Sequence, residues 1–183
     1  MKKILLSCIL AAASVIVFAA PRISETDKQK ARDLVSKMTL EEKCLLVAGQ
    51  IDGFHTAEIA RLGIPSVRMA DGPQGVRNKT NSTYYPCGLA IAASWNREVA
   101  KGVGSGIGVD AKARGVGIML CPGVNIYRSP LCGRNFEYMG EDPYLASETA
   151  ANYICGIQEE GTMATIKHFA ANNQEYQRHQ VNS

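Results

Sequence analysis

Apolar residues along the chain switch between helical spacing and short continuous runs. Over 27–38, Ala31, Leu34, Val35 and Met38 recur at helical spacing and predict an amphipathic helix. Thr39 followed by Glu42 forms a capping box that opens a second helix through Leu45-Leu46-Val47, stopping at Gly49. A shorter helix is expected over 57–62, ending in Gly63-Ile64-Pro65. The apolar run 66–70 then passes straight into Asp71-Gly72-Pro73, the pattern of a strand delivering a turn.

The same sequence of signals repeats. Asn96 can cap a long helix over 97–114, followed by a short buried strand over 117–120 and a Cys121-Pro122-Gly123 turn. A polar loop, 125–142, leads to Pro143 in the first turn of a helix capped by Asp142 and reaching about residue 160. A third strand, 163–166, ends at Lys167-His168. Strands alternating with helices imply βαβ units and an α/β fold with a parallel sheet. Ligand groups in such folds gather at the C-terminal strand ends. Asp71 and Arg77, Arg134 and Glu137, and Lys167 and His168 are therefore expected on one rim. Gly102, Gly104, Gly106 and Gly108 lie inside a helical pattern, without a strand-to-helix GxGxxG turn. That excludes a dinucleotide site and points instead to close helix–sheet packing.

Composition narrows the class. With 183 residues, 46% hydrophobic and 20% charged, the chain has ordinary globular make-up and the length of one domain. Residues 1–20 read as a signal peptide: Lys2 and Lys3, an apolar stretch, then Ala19-Ala20 before Pro21. No basic stop-transfer flank follows, so export to the periplasm or outside the cell is expected, with no stable membrane insertion after cleavage. Leu5-Leu6-Ser7-Cys8 has the form of a lipoprotein site but stands too near the start to leave an apolar core before it. Losing Lys2 and Lys3 lowers the net charge from +3 to +1, which leaves no electrostatic footprint for nucleic acid. Six cysteines show no metal-ligand spacing, and small buried thiols are the expected role. One disulfide, between Cys121 and Cys132, is left open for an oxidising compartment.

The rim residues suit a sugar. A carboxylate accepts neighbouring hydroxyl hydrogens, while Arg, Lys and His donate to the other oxygens. Asp71, Arg77, Arg134, Lys167, His168 and Arg178 form such a set, and Trp95, Tyr127 or Tyr138 is a candidate stacking face. No metal or cofactor is called for. Three longer motifs carry a specific resemblance: Asp71-Gly72-Pro73-Gln74-Gly75-Val76-Arg77, then the run from Pro122-Gly123-Val124-Asn125 through Gly133-Arg134-Asn135-Phe136-Glu137, then Lys167-His168-Phe169-Ala170-Ala171-Asn172-Asn173-Gln174-Glu175. In order and spacing they resemble the sugar-binding loops of β-glucosidase-like enzymes of glycoside hydrolase family 3.

The resemblance implies a (β/α)8 TIM-type barrel with the pocket at its C-terminal rim, residues 21–183 forming the N-terminal portion. It implies that Asp71, with Arg77 beside it, grips outer hydroxyls of a terminal β-D-glucosyl residue. Arg134, Lys167 and His168 would hold hydroxyls nearer the reacting carbon, supported by Glu175 and Arg178. The Lys167–His168 peptide is expected in an unusual geometry. Family members hydrolyse β-glucosides or oligosaccharides by a retaining two-carboxylate mechanism. Neither the Ser-Asp-Trp-like setting of their nucleophile nor a defensible acid/base occurs in these 183 residues. The resemblance therefore leaves the catalytic pair unassigned here and implies that both groups lie downstream of Ser183. Three strands of eight also leave apolar faces and a bare edge, so the sequence is read as the front of a longer polypeptide. Alternatives are β-xylosidase or β-N-acetylglucosaminidase activity, a Schiff-base lysine at Lys167, and a non-catalytic sugar-binding module.

Overall fold

The structure, a computed structural model, describes residues 23–50 and 52–180. The expected leader, with Lys2, Lys3 and Cys8, lies outside the described residues. So does Ser183, the point beyond which the nucleophile and the acid/base are expected.

Two helices come first, α1 (Glu25–Lys37) and α2 (Leu40–Ala48). The capping box is formed: Thr39 Oγ1 accepts from Glu42 N at 3.2 Å and Glu42 Oε2 accepts from Thr39 N at 2.9 Å. Neither helix buries a residue, and Leu34, Val35, Leu45 and Val47 remain exposed on them. The helix expected over 57–62 is only a 3-10 turn, Ala60–Leu62. Ile59 and Ile64 exchange backbone hydrogen bonds around it, and Gly63 closes it at φ 67°, a hairpin-like reversal that leaves no room for an α-helix.

The sheet contains β1 (Met69–Asp71), β2 (Ile118–Leu120) and β3 (Met163–Ala164), all parallel and in sequence order. Each is shorter than its apolar run because ladder pairing is confined to the register Ala70–Met119–Ala164 and its neighbours. Between β1 and β2 run α3 (Gly88–Ala93) and α4 (Arg97–Ala113); between β2 and β3 runs α5 (Pro143–Glu159). The two long helices begin where their caps predict. Asn96 Oδ1 accepts from Glu98 N at 2.9 Å, and Asp142 Oδ1 from Leu145 N at 2.7 Å.

The core lies between the sheet and these helices. Ala70, Met119 and Cys121 from the sheet side meet Ile107, Ala111, Tyr153 and Ile157 from α4 and α5. Gly104 and Gly108 correct the expectation of helix–sheet packing, because their close approach is to α5 and its C-cap, while Gly106 meets Tyr85 and Gly102 faces open space. A Cβ on Gly104 would stand 2.1 Å from the Tyr153 carbonyl oxygen, and one on Gly156 2.2 Å from that of Lys101. Tyr153 then ties α5 to the β1 turn, its buried hydroxyl donating to Pro73 O at 2.9 Å. No disulfide forms among the described residues: Cys121, Cys132 and Cys155 are buried thiols, Cys87 is half-buried and Cys44 exposed. No described helix is long and apolar enough to cross a membrane.

Candidate active-site rim

All three strands end on the same rim. Asp71 closes β1, and the turn after it is tight enough that a Cβ on Gly72 would stand 1.6 Å from Gly75 O. Arg77 N donates back to Asp71 O at 2.8 Å, which folds the loop over the strand end. The chain beyond β2 and the chain beyond β3 stay side by side past the ladder. Lys167 N donates to Pro122 O at 2.9 Å and Val124 N to Lys167 O at 2.6 Å. That extension carries Lys167 to Asp71: its Nζ donates to Asp71 Oδ1 at 2.5 Å. The Lys167–His168 peptide is cis, matching the expected unusual geometry.

The loop after β2 supplies the third contributor. A 3-10 turn, Asn135–Glu137, places Glu137 inward, where it accepts from Arg134 Nε. Burial alone would lower the Arg134 pKa, but the hydrogen bond and charge of Glu137 outweigh it and the guanidinium is held more firmly protonated. Tyr138 follows, fully buried, with its hydroxyl 2.8 Å from His168 Nδ1. Burial and then the charges of Arg134 and Lys167 lower the His168 pKa from its ordinary value, which favours the neutral imidazole.

These groups line two adjoining clefts. One, of about 600 Å³, is bounded by the turn from Asp71 to Arg77 and by Arg134, Phe136, Glu137 and Lys167. The other, of about 450 Å³, is lined by Asp71, Arg134, Lys167, His168, Asn172, Arg178 and His179. Asp71, Arg134 and Lys167 belong to both. Every rim residue expected from sequence thus reaches the clefts except Glu175. It lies just behind them, accepting from Arg178 Nη1 at 3.3 Å and from Asn172 Nδ2 at 3.1 Å. Asp71 Oδ2 has no protein partner among the described residues, and a ligand hydroxyl can take it. Lys167 Nζ is already engaged by Asp71 Oδ1 rather than standing free, which counts against Schiff-base chemistry.

The stacking candidates need correction. Tyr138 is buried and meets His168 edge-on, with ring centroids 5.9 Å apart. Trp95 belongs to a separate cleft with Tyr144, and Tyr127 lines neither rim cleft. The aromatics at the larger rim cleft are Phe136 and Tyr84, both well exposed. Phe136 stands inside the second motif between Arg134 and Glu137, so adjacency to the charged pair was a usable signal. Asn172 and Tyr138, which join the site through hydrogen bonds, carry no charge pattern that would mark them. No group of His, Cys, Asp and Glu able to hold a metal occurs among the described residues.

A parallel α/β sheet with its polar groups gathered at the strand C-termini, carboxylates facing several fixed donors, is the layout of a ligand-binding α/β protein. The chain belongs to glycosyl hydrolase family 3: residues 34–181 match the description "Glycosyl hydrolase family 3 N terminal domain". It is 48% identical over 164 residues to thermostable beta-glucosidase B of Acetivibrio thermocellus, covering 83% of this chain and 22% of that protein. It is 46% identical over 159 residues to beta-glucosidase BoGH3A of Bacteroides ovatus, covering 80% and 21%. Among solved structures, DesR, a beta-glucosidase from Streptomyces venezuelae in complex with D-glucose, superposes with a TM-score of 0.77 at 41% identity, covering 84% of this chain and 20% of that one. Beta-glucosidase 3B from Thermotoga neapolitana, in complex with alpha-D-glucose, gives 0.73 at 40% identity, covering 80% and 24%. The fold is accordingly the N-terminal part of a TIM-type barrel. The chain spans about a fifth of the length of the curated relatives it matches.

Proposed function

We propose that this chain forms the sugar-gripping part of a β-glucosidase, which removes terminal non-reducing β-D-glucosyl residues from β-glucosides or oligosaccharides with retention at the anomeric carbon. The observation that carries it is the convergence of Asp71, Arg134, Lys167 and His168 from three strand ends on adjoining clefts. The beta-glucosidase names of the relatives, two of them solved with glucose, support the same reading.

Asp71, with one oxygen spent on Lys167 and the other open, accepts from outer hydroxyls, with Arg77 beside it. Arg134, Lys167 and His168 donate to hydroxyls nearer the reacting carbon. Glu175 and Arg178 brace the far side through their ion pair. The carboxylates of this shell are committed to those tasks: Asp71 to Lys167, Glu137 to Arg134, Glu175 to Arg178. A retaining reaction needs a nucleophilic carboxylate and an acid/base besides them. In this reading both belong to other parts of the whole protein. Fixing the sugar lowers the barrier through orientation, by removing the freedom of the glycosyl ring before attack.

The test is hydrolysis of an aryl β-glucoside by the whole protein, with the anomer of the first-formed glucose read by NMR. Release of β-glucose supports the reading, and first release of α-glucose or no hydrolysis of any β-glycoside overturns it. Export belongs to the same proposal. Mass spectrometry of the mature protein should find Pro21 at its start, and an N-terminus still carrying Lys2 and Lys3 would refute cleavage there.

A further inference from the structure

Behind the rim, a chain of hydrogen bonds runs from a carboxylate to the imidazole of His168. Glu175 Oε1 accepts from Asn172 Nδ2 at 3.1 Å, and the same amide nitrogen lies 2.5 Å from Tyr138 Oη. A carboxylate not carrying a proton can only accept. The amide end facing Glu175 is therefore the NH2 group, and its second hydrogen points at Tyr138. The Asn172 backbone cannot drift out of this geometry: its N–H donates to Asn125 Oδ1 at 3.0 Å, and Asn125 Nδ2 donates back to Asn172 O at 3.2 Å.

Tyr138 Oη thus accepts from Asn172, and its one hydrogen is left for its other neighbour, His168 Nδ1 at 2.8 Å. An imidazole nitrogen that accepts carries no proton. We propose that Tyr138 is a positioning residue that locks His168 in the neutral tautomer bearing its proton on Nε2, so that His168 presents a fixed donor to its ligand. Nε2 has no protein partner among the described residues, and His168 lines the smaller rim cleft. Glu175, which touches neither cleft wall, thereby governs the direction of a hydrogen bond two residues removed from it in the network.

The surrounding charges agree. Burial first, then Arg134 and Lys167, oppose a proton on the imidazole, whereas Glu137 and Glu175 favour one, and the net shift is downward. The tautomer assignment stands on hydrogen-bond geometry alone. Only the identity of what Nε2 donates to, a glucose hydroxyl, rests on the function proposed above.

The experiment is 15N NMR of the whole protein labelled with 15N-histidine, near neutral pH, with His168 assigned by its loss in His168→Gln. A pyrrole-like Nε2 and a pyridine-like Nδ1 are expected. The opposite tautomer, or an imidazolium, would overturn the proposal whether or not glucose binds. In Tyr138→Phe, which keeps the ring edge beside His168, the imidazole should become a mixture of tautomers. Glucose binding should weaken about three- to tenfold, the loss of one oriented hydrogen bond. A purely structural tyrosine would leave the tautomer unchanged in that variant, and this result would also overturn the proposal. If the tautomer is as assigned but glucose does not bind, the positioning claim holds and the sugar-binding reading is the one that fails.

Discussion

Replacing Asp71 with alanine removes the one carboxylate, among the described residues, that lines both clefts. The Asp71 side chain is 33% exposed and that of Lys167 14%, so their ion pair is neither a surface contact nor a fully buried one. Charge-assisted hydrogen bonds contribute roughly 1.5–3 kcal/mol each. Asp71 is asked for two with the sugar, and its partial exposure argues for the lower end. The expected loss in transition-state binding is about 3 kcal/mol, or about 10²-fold in kcat/KM. Stability should fall by much less, about 1–2 kcal/mol, since Lys167 Nζ can turn toward water once its partner is gone. Asp71→Asn keeps an acceptor for Lys167 without the charge, and should recover about tenfold of the lost activity. The assay is kcat/KM on an aryl β-glucoside in the whole protein, with urea denaturation to confirm folding. A folded Asp71→Ala enzyme within about threefold of the unsubstituted one would refute the reasoning, because no such pair of bonds costs so little.

Further outcomes can be checked by simpler means. Gly104→Ala should destabilise by about 1–3 kcal/mol, because its methyl meets the Tyr153 carbonyl. Gly102→Ala, two residues earlier with open space around it, should instead stabilise by up to about 1 kcal/mol; urea midpoints moving in the same direction for both would contradict the helix–helix packing. Thr39→Ala breaks the capping box and should cost about 1 kcal/mol of local helix stability, read as faster amide exchange across α2. Burial pushes the Cys121 thiol up to about 12, so it stays protonated and inert throughout the working pH range, whereas exposed Cys44 reacts. Iodoacetamide on the folded protein should modify Cys44 and spare Cys121, and native labelling of Cys121 would show that the core is open.

Much of this molecule was legible in its sequence for identifiable reasons. Helix starts at Thr39, Asn96 and Asp142 were readable because each cap is a local device, formed within three residues and insensitive to the rest of the fold. The rim was readable because turns marked by Gly and Pro sit after apolar runs, and parallel topology then places those turns at one end. What failed depended on distance. Helix α3 was missed because six residues hold too little periodicity and its N-cap, Cys87, makes no side-chain capping bond. The expected helix over 57–62 was overridden by the Ile59–Ile64 backbone pairing. Gly104 on α4 announced a close approach without saying to what; its partner, Tyr153 on α5, lies far along the chain. Tyr138 looked like a stacking ring because burial of one tyrosine in a polar loop has no local signature. Its actual place, between Asn172 and His168, is set by bonds spanning 30 and 34 residues.

The most direct test of the central claim is a crystal structure of the whole protein with D-glucose bound. Asp71 Oδ2, Arg134, Lys167 Nζ and His168 Nε2 should all lie within hydrogen-bond distance of hydroxyls of one sugar ring, with Glu175 behind them. Glucose seated away from these residues, or touching the rim through Arg77 and Arg178 alone, would contradict the account.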